Sequence, residues 1–239
     1  MFYGYYLDWT YILVIIGAIL CMVASSNVNS TYRKYARIRN RSGITGAQAA
    51  KMILDAQGIY DVRIEHIRGN LTDNYDPSNK VVHLSDTTYN SDSVAAVGVA
   101  AHECGHVIQH HKGYAPIAVR NAILPLANGG AKLSWILIIV GVVLTGIGTG
   151  GAGNLIIHVG ILAFSMAVLF QIVTLPVEFN ASSRALKILG ESGMFDRTEV
   201  GQTKKVLRAA ALTYVAAAAS SILQLLRLLI IFGGGRSDD

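Results

Sequence analysis

Residues 101–111 read AHECGHVIQHH, and within them His102-Glu103-Cys104-Gly105-His106 is an H-E-x-x-H motif. On an α-helix, positions i and i+4 share one face, so both imidazoles can reach one metal ion. Imidazole nitrogen suits Zn²⁺. Glu103, beside the first histidine, is placed to act as general base on a zinc-bound water. Zinc lowers the pKa of such a water toward about 7, and the carboxylate takes its proton as the oxygen attacks a peptide carbonyl. Cys104 lies about 200° around the helix from His102 and is expected in packing. Gly105 is costly inside a helix and points to a close approach by another element.

Two histidines leave a third ligand to be found. His110 lies about 80° around the helix from His102 and roughly 12 Å along it, too far for one ion without a kink. His111 faces away from the pair. The extended metzincin pattern would place Gly at 109 and His at 112, where this chain has Gln109 and Lys112. Glu178, in Leu175-Pro-Val-Glu-Phe-Asn-Ala-Ser-Ser-Arg-Ala185, is the third candidate; it can be a plain interfacial charge at a span end, but the charge pattern puts it on the same side as His102 and His106, and the residues alone leave all three open. Two histidines and one glutamate with an open water position make a standard catalytic zinc shell.

The motif needs a strand before it and a helix to carry it. Ser91 or Ser93 can cap a helix over 94–109. Lys80–Ser85 and Tyr60–His66 read as strands, and Thr45-Gly-Ala-Gln48 reads as a capping box opening a helix that stops near Gly58. Asn70–Asn79 is rich in turn residues, with Asp76 expected in turn chemistry. The layout is a small α+β, zincin-like unit. Its strand 81–85 is expected to be the edge strand that binds substrate backbone by strand addition. On it, His83 either stabilises the oxyanion or faces solvent.

The rest of the chain is not that of a soluble domain. Of 239 residues, 52% are apolar and only 15% charged, against about 25% charged in an ordinary soluble domain. No charge falls between Asp8 and Arg33, and none in the 45 residues between Lys132 and Glu178. One helix of that second length would run about 68 Å, twice a hydrocarbon core of about 30 Å. It is therefore expected to break, at Thr145–Asn154 (TGIGTGGAGN). Four spans follow: 9–25, 133–149, 155–174 and 209–232. Between them lie 26–132, the zincin-like domain, and 175–208, the segment with the third ligand. Arg227, near the end of the last span, is expected to snorkel to the interface. His158, within the third span, is either functional or bonded to a neighbouring helix. Gly129-Gly130 is a candidate hinge, and 233–239 a frayed tail.

Of 20 Lys and Arg, 12 lie in 26–132 and six in 175–208. The positive-inside rule places both segments in the cytoplasm and both termini outside. The net charge of +5 then reads as topology, and nucleic-acid binding is not expected. Cys21 and Cys104 support no disulfide framework.

AAHECGHVIQHH, the preceding YDPSNKVVHLSDTTYNSDSVAAVGVA, and LPVEFNASSRAL together resemble the YugP-type neutral zinc metallopeptidases of the bacterial membrane, over roughly residues 1–232. The family is similar to the HtpX and CAAX-prenyl-protease type of membrane gluzincin. The resemblance implies one zinc per chain, held by His102, His106 and Glu178, with Glu103 as general base. It also implies a polypeptide substrate at or in the bacterial plasma membrane. Gluzincins commonly carry Asp four residues after the glutamate ligand, to support a histidine, where this chain has Ser182. Asn180 and Arg184 are further candidates for that supporting role or for substrate contact. The alternative reading is a catalytically silent, metal-binding membrane scaffold. A metal permease would need polar residues along several spans, which are almost wholly apolar.

Overall fold

A computed structural model describes residues 8–233. Nothing is added here on 234–239, most of the expected frayed tail, which lies outside the described residues. The chain is mostly helical: α1 (Tyr11–Tyr35), α2 (Gly46–Ala56), α3 (Val94–His111), α4 (Ala115–Gly146), α5 (Gly150–Glu191) and α6 (Arg197–Phe232) accompany β1 (Arg63–Ile67), β2 (Asn74–Asp76) and β3 (Val81–Ser85). Two compact units share these elements. One comprises Ala24–Ala118 and Leu175–Thr213. The other comprises the chain up to Val23, Val119–Thr174, and from Tyr214 onward.

In the first unit, local signals act as expected. The Thr45 hydroxyl accepts from the Gln48 amide and the Gln48 side chain accepts in return, closing the capping box of α2. Gly58, at φ +69°, reverses the chain after α2. The Ser93 hydroxyl accepts from the Ala96 amide and caps α3. Ala49, Ile53, Leu54, Val82, Leu84, Val97, Cys104 and Ile108 form one buried core with Ala185 and Leu189 of α5. Burial of those apolar faces is the main force holding α3 against the sheet and α5.

The sheet corrects one expectation. Its order is β1-β3-β2, with β1 parallel and β2 antiparallel to β3. Strand 81–85 is therefore central, not an edge: β1 occupies one side over its whole length and β2 the other from Val81 to His83. The Ser85 amide is taken by the Asp73 carboxylate at 2.8 Å. The turn-rich stretch 70–79 hides β2. Asp76 does perform the expected turn chemistry, accepting from the Ser78 and Asn79 amides.

Among the described residues, α1, α4, α5 and α6, parts of which make up the second unit, are the four helices long and apolar enough to cross a membrane. Only 11–22% of the residues in their most apolar windows are buried, so most of that apolar surface faces outward. The break between α4 and α5 is narrower than 145–154. It spans only Ile147–Thr149, with Gly148 at φ +93°. Of the other glycines there, Gly153 serves packing: a Cβ on it would lie 2.7 Å from the Gly141 carbonyl oxygen, and one on Gly141 would lie 2.7 Å from that of Gly153, whereas Gly146, Gly150 and Gly151 face open space. Small residues let helix backbones approach this closely. The Gly129-Gly130 pair is not a break either. Helix α4 runs through it, and a Cβ on Gly130 would meet the Ala163 carbonyl oxygen at 2.8 Å.

Two polar side chains of this unit differ from expectation. Arg227 is largely buried rather than extended outward. Its guanidinium lies 4.2 Å from the Tyr11 ring centre and 4.0 Å from the Asp8 carboxylate. A cation over an aromatic face, with a carboxylate nearby, replaces the water that snorkelling would reach. His158 bonds no neighbouring helix: its Nδ1 lies 2.8 Å from the Asn154 carbonyl, one turn back on α5.

Candidate functional site

Helix α3 presents His102 and His106 one turn apart, with ring centres 4.8 Å apart and planes nearly perpendicular. Opposite them, α5 brings Glu178, which is buried. The Glu178 Oε2 lies 3.3 Å from His102 Nε2 and 3.6 Å from His106 Nε2. One donor atom from each of the three residues falls within 4.8 Å of the others, the one such grouping among the described residues.

The close approach of α3 and α5 depends on Gly105. A Cβ there would lie 2.6 Å from the Ala181 carbonyl oxygen, a backbone atom of α5 that cannot swing aside. Gly98, two turns earlier on α3, would meet the Thr203 side-chain methyl at 2.6 Å, a side-chain atom rather than backbone. Gly105→Ala is therefore expected to cost about 1–3 kcal/mol of stability, the range for overpacking, and Gly98→Ala less. Denaturant midpoints of the two variants check the order.

Zinc binds tetrahedrally with bonds of about 2.0–2.1 Å, which sets donors about 3.3–3.4 Å apart. The spacings of 3.3 and 3.6 Å from Glu178 to the imidazoles match that figure. The donors are two imidazoles and one carboxylate, the set found in open catalytic zinc shells. The residues present thus fit a zinc ion.

Both imidazoles are held from behind. Ser182, one turn after Glu178, sets its hydroxyl 3.2 Å from His102 Nδ1. His106 Nδ1 lies 3.0 Å from the Gln109 Oε1. Gln109 is fully buried and donates from Nε2 to the Val177 carbonyl at 2.7 Å and to Asn180 Oδ1 at 3.0 Å. Arg184 Nε donates to the same Asn180 oxygen at 2.7 Å. Asn180, Ser182 and Arg184 therefore stand within the network around the three donors. Gln109 was not singled out in the sequence except as a departure from the metzincin pattern. The signal was present: an uncharged polar residue three positions after a histidine, on an otherwise apolar helix face.

Glu103 is buried on α3. Burial pushes its carboxyl pKa well above the ordinary value, His102 and His106 pull it back in part, and the Glu178 and Asp73 carboxylates push it up again. For His106, burial favours the neutral ring. The Glu178 hydrogen bond and the Glu103 and Glu178 charges outweigh it and raise the pKa. Cys104 is sealed in the core with its thiol 3.7 Å from the Ala50 carbonyl, and burial pushes its pKa far up. It is packing, as expected.

The other candidates lie elsewhere. His83 pairs across the sheet with Asn74, Nδ1 to Oδ1 at 2.8 Å, and is not among the three gathered donors. His110 and His111 line a separate cavity of about 240 Å³ with Asp61, Tyr75 and Lys80.

A protein of Bacillus subtilis (strain 168) named "Putative membrane protease YugP" is 44% identical over 207 residues, covering 86% of this chain and 89% of the relative. No solved structure matches the chain. The model of the family described as "Putative neutral zinc metallopeptidase" matches residues 10–233, nearly the whole chain, and it is to this family that the protein belongs.

Proposed function

We propose that the protein is a membrane zinc metallopeptidase that hydrolyses peptide bonds in membrane or membrane-proximal polypeptides. The observation that carries this reading is the meeting of His102 and His106 from α3 with Glu178 from α5, 76 residues beyond His102, in a chain of this family. In this reading His102, His106 and Glu178 hold one zinc ion and Glu103 is the general base. Zinc at such a site polarises a substrate carbonyl and makes water a competent nucleophile near neutral pH.

The chain's own groups carry the proton. Glu103 takes it from the attacking water as the new C–O bond forms. It then passes the proton to the amide nitrogen as the C–N bond breaks, so that a neutral amine leaves. A carboxyl whose pKa burial raises accepts a proton more readily than an exposed one and can hold it until the amide nitrogen takes it. Ser182 orients His102. Because β3 is paired on both sides, substrate backbone is assigned instead to the outer edge of β2 (Asn74–Asp76).

The site-bearing segments 26–132 and 175–208 are assigned to the cytoplasmic face of the plasma membrane. Their 12 and six basic residues support this. In the sequence Glu178 follows the third apolar run within four residues, which favours substrates in or beside the bilayer.

The test uses the full chain purified in detergent, with casein or a membrane protein as substrate. Wild type is expected to hold one zinc and to cleave. A chelator is expected to abolish cleavage and one equivalent of zinc to restore it. A folded chain that binds no zinc would overturn the reading. Zinc-bound protein without hydrolysis of either substrate would leave the scaffold alternative in its place.

A further inference from the structure

Gln109 joins both sides of the site, and each of its bonds has a fixed direction. The Val177 carbonyl can only accept, so the Gln109 group 2.7 Å from it is the NH₂. A second constraint agrees. Arg184 Nε can only donate, so the Asn180 atom 2.7 Å from it is the oxygen. That same oxygen faces Gln109 at 3.0 Å and needs a donor there. The Gln109 amide oxygen is thereby turned toward His106 Nδ1, 3.0 Å away. An amide oxygen can only accept, so this ring nitrogen carries a proton, and a metal held at the site would take the lone pair of Nε2. Nε2 is the atom that points at Glu178. His102 has no such lock, because the Ser182 hydroxyl can donate or accept.

We propose that Gln109 is the positioning residue of this site: it holds His106 as the Nδ1–H tautomer, so that Nε2 faces the metal position, and it ties α3 to the turn of α5 that carries Glu178. The inference rests on the reading of His102, His106 and Glu178 as zinc ligands. Arg184 and Asn180 act one step further out, by fixing which way the Gln109 amide faces. Gln109 is fully buried, so a residue that cannot accept leaves the Nδ1–H and the Val177 carbonyl without this partner.

The test has two readouts besides hydrolysis. In zinc-loaded, ¹⁵N-histidine-labelled full chain in detergent, the His106 ring nitrogens are expected to show Nδ1 protonated and Nε2 metal-bound. The reverse assignment overturns the proposal, whatever any variant does. Second, zinc affinity is measured by chelator competition. Gln109→Leu is expected to bind roughly 10–100-fold more weakly, the usual cost of losing a ligand's outer partner. Gln109→Glu keeps an oxygen for the Nδ1 proton but gives up the donors to Val177 and Asn180, and an affinity nearer wild type than that of Gln109→Leu is expected if the histidine bond is the one that counts. Wild-type affinity and unchanged ring signals in Gln109→Leu would overturn the proposal. His106→Ala separates the two levels of argument. If it loses zinc while Gln109→Leu binds like wild type, only the role of Gln109 falls. If it binds zinc as tightly as wild type, the metal reading falls and this inference with it.

Discussion

Replacing Glu103 by Gln is expected to lower peptide hydrolysis by roughly 10²–10⁴-fold, the range supplied by a general base, while zinc stays bound at one ion per chain. The two side chains have the same shape, but the amide cannot take a proton from water. Glu103 is not one of the three gathered donors, so the metal has no reason to leave. Nor has the fold. Glu103 is a buried carboxyl whose pKa burial raises, which means its charged form is disfavoured there. A neutral amide removes that penalty, and the variant is expected to unfold at or above the wild-type midpoint. Turnover, zinc content and unfolding midpoint are measured on the same preparation. Wild-type turnover would place the base elsewhere. Loss of zinc would make Glu103 a ligand rather than a base.

Features set by neighbouring residues were legible in the sequence. The Thr45 capping box, the Ser93 cap, helix 94–109 and the strand before it all follow from side chains within a few positions of each other. Gly105 was legible as a close approach, though not what approached. Features set by pairing at a distance were not. Strand β2 is three residues long within a turn-rich stretch, and only its register with β3 makes it a strand. Once it pairs, β3 becomes central, so the expected substrate edge moved. Glycines 141 and 153 carry no local mark that distinguishes a helix breaker from a helix contact; the partner helix decides. Arg227 was placed by reach alone, and Tyr11, more than 200 residues earlier, holds it instead. Within the site, the i, i+4 spacing of His102 and His106 was sufficient for that pair. The residues alone left Glu178, His110 and His111 open as the third donor. The resemblance selected Glu178, and the structure gathers it with the pair.

Replacing Glu178 by Ala is expected to weaken zinc binding by more than the roughly 10–100-fold that loss of an outer partner costs, with hydrolysis lost in parallel. Only two imidazoles would remain, and the site would lose its single negative ligand. A drop in zinc could also come from unfolding, and the physics separates the two. Glu178 is a buried carboxylate paired with His102 and His106. Both partners are imidazoles, which can lose their proton when the carboxylate is gone, so the substitution need leave no uncompensated buried charge. Its neighbours on α5, Val177 and Asn180, remain tied to Gln109 of α3, so the two helices stay in register. The metal-free variant is therefore expected to keep wild-type helicity while failing to take up zinc. Metal content and circular dichroism on detergent-purified protein check both halves. His102→Ala should match it in zinc loss, and His110→Ala should not, because His110 lines the separate cavity beside Tyr75. Full zinc occupancy in Glu178→Ala, with His110→Ala the variant that loses metal, would move the third ligand onto α3 itself.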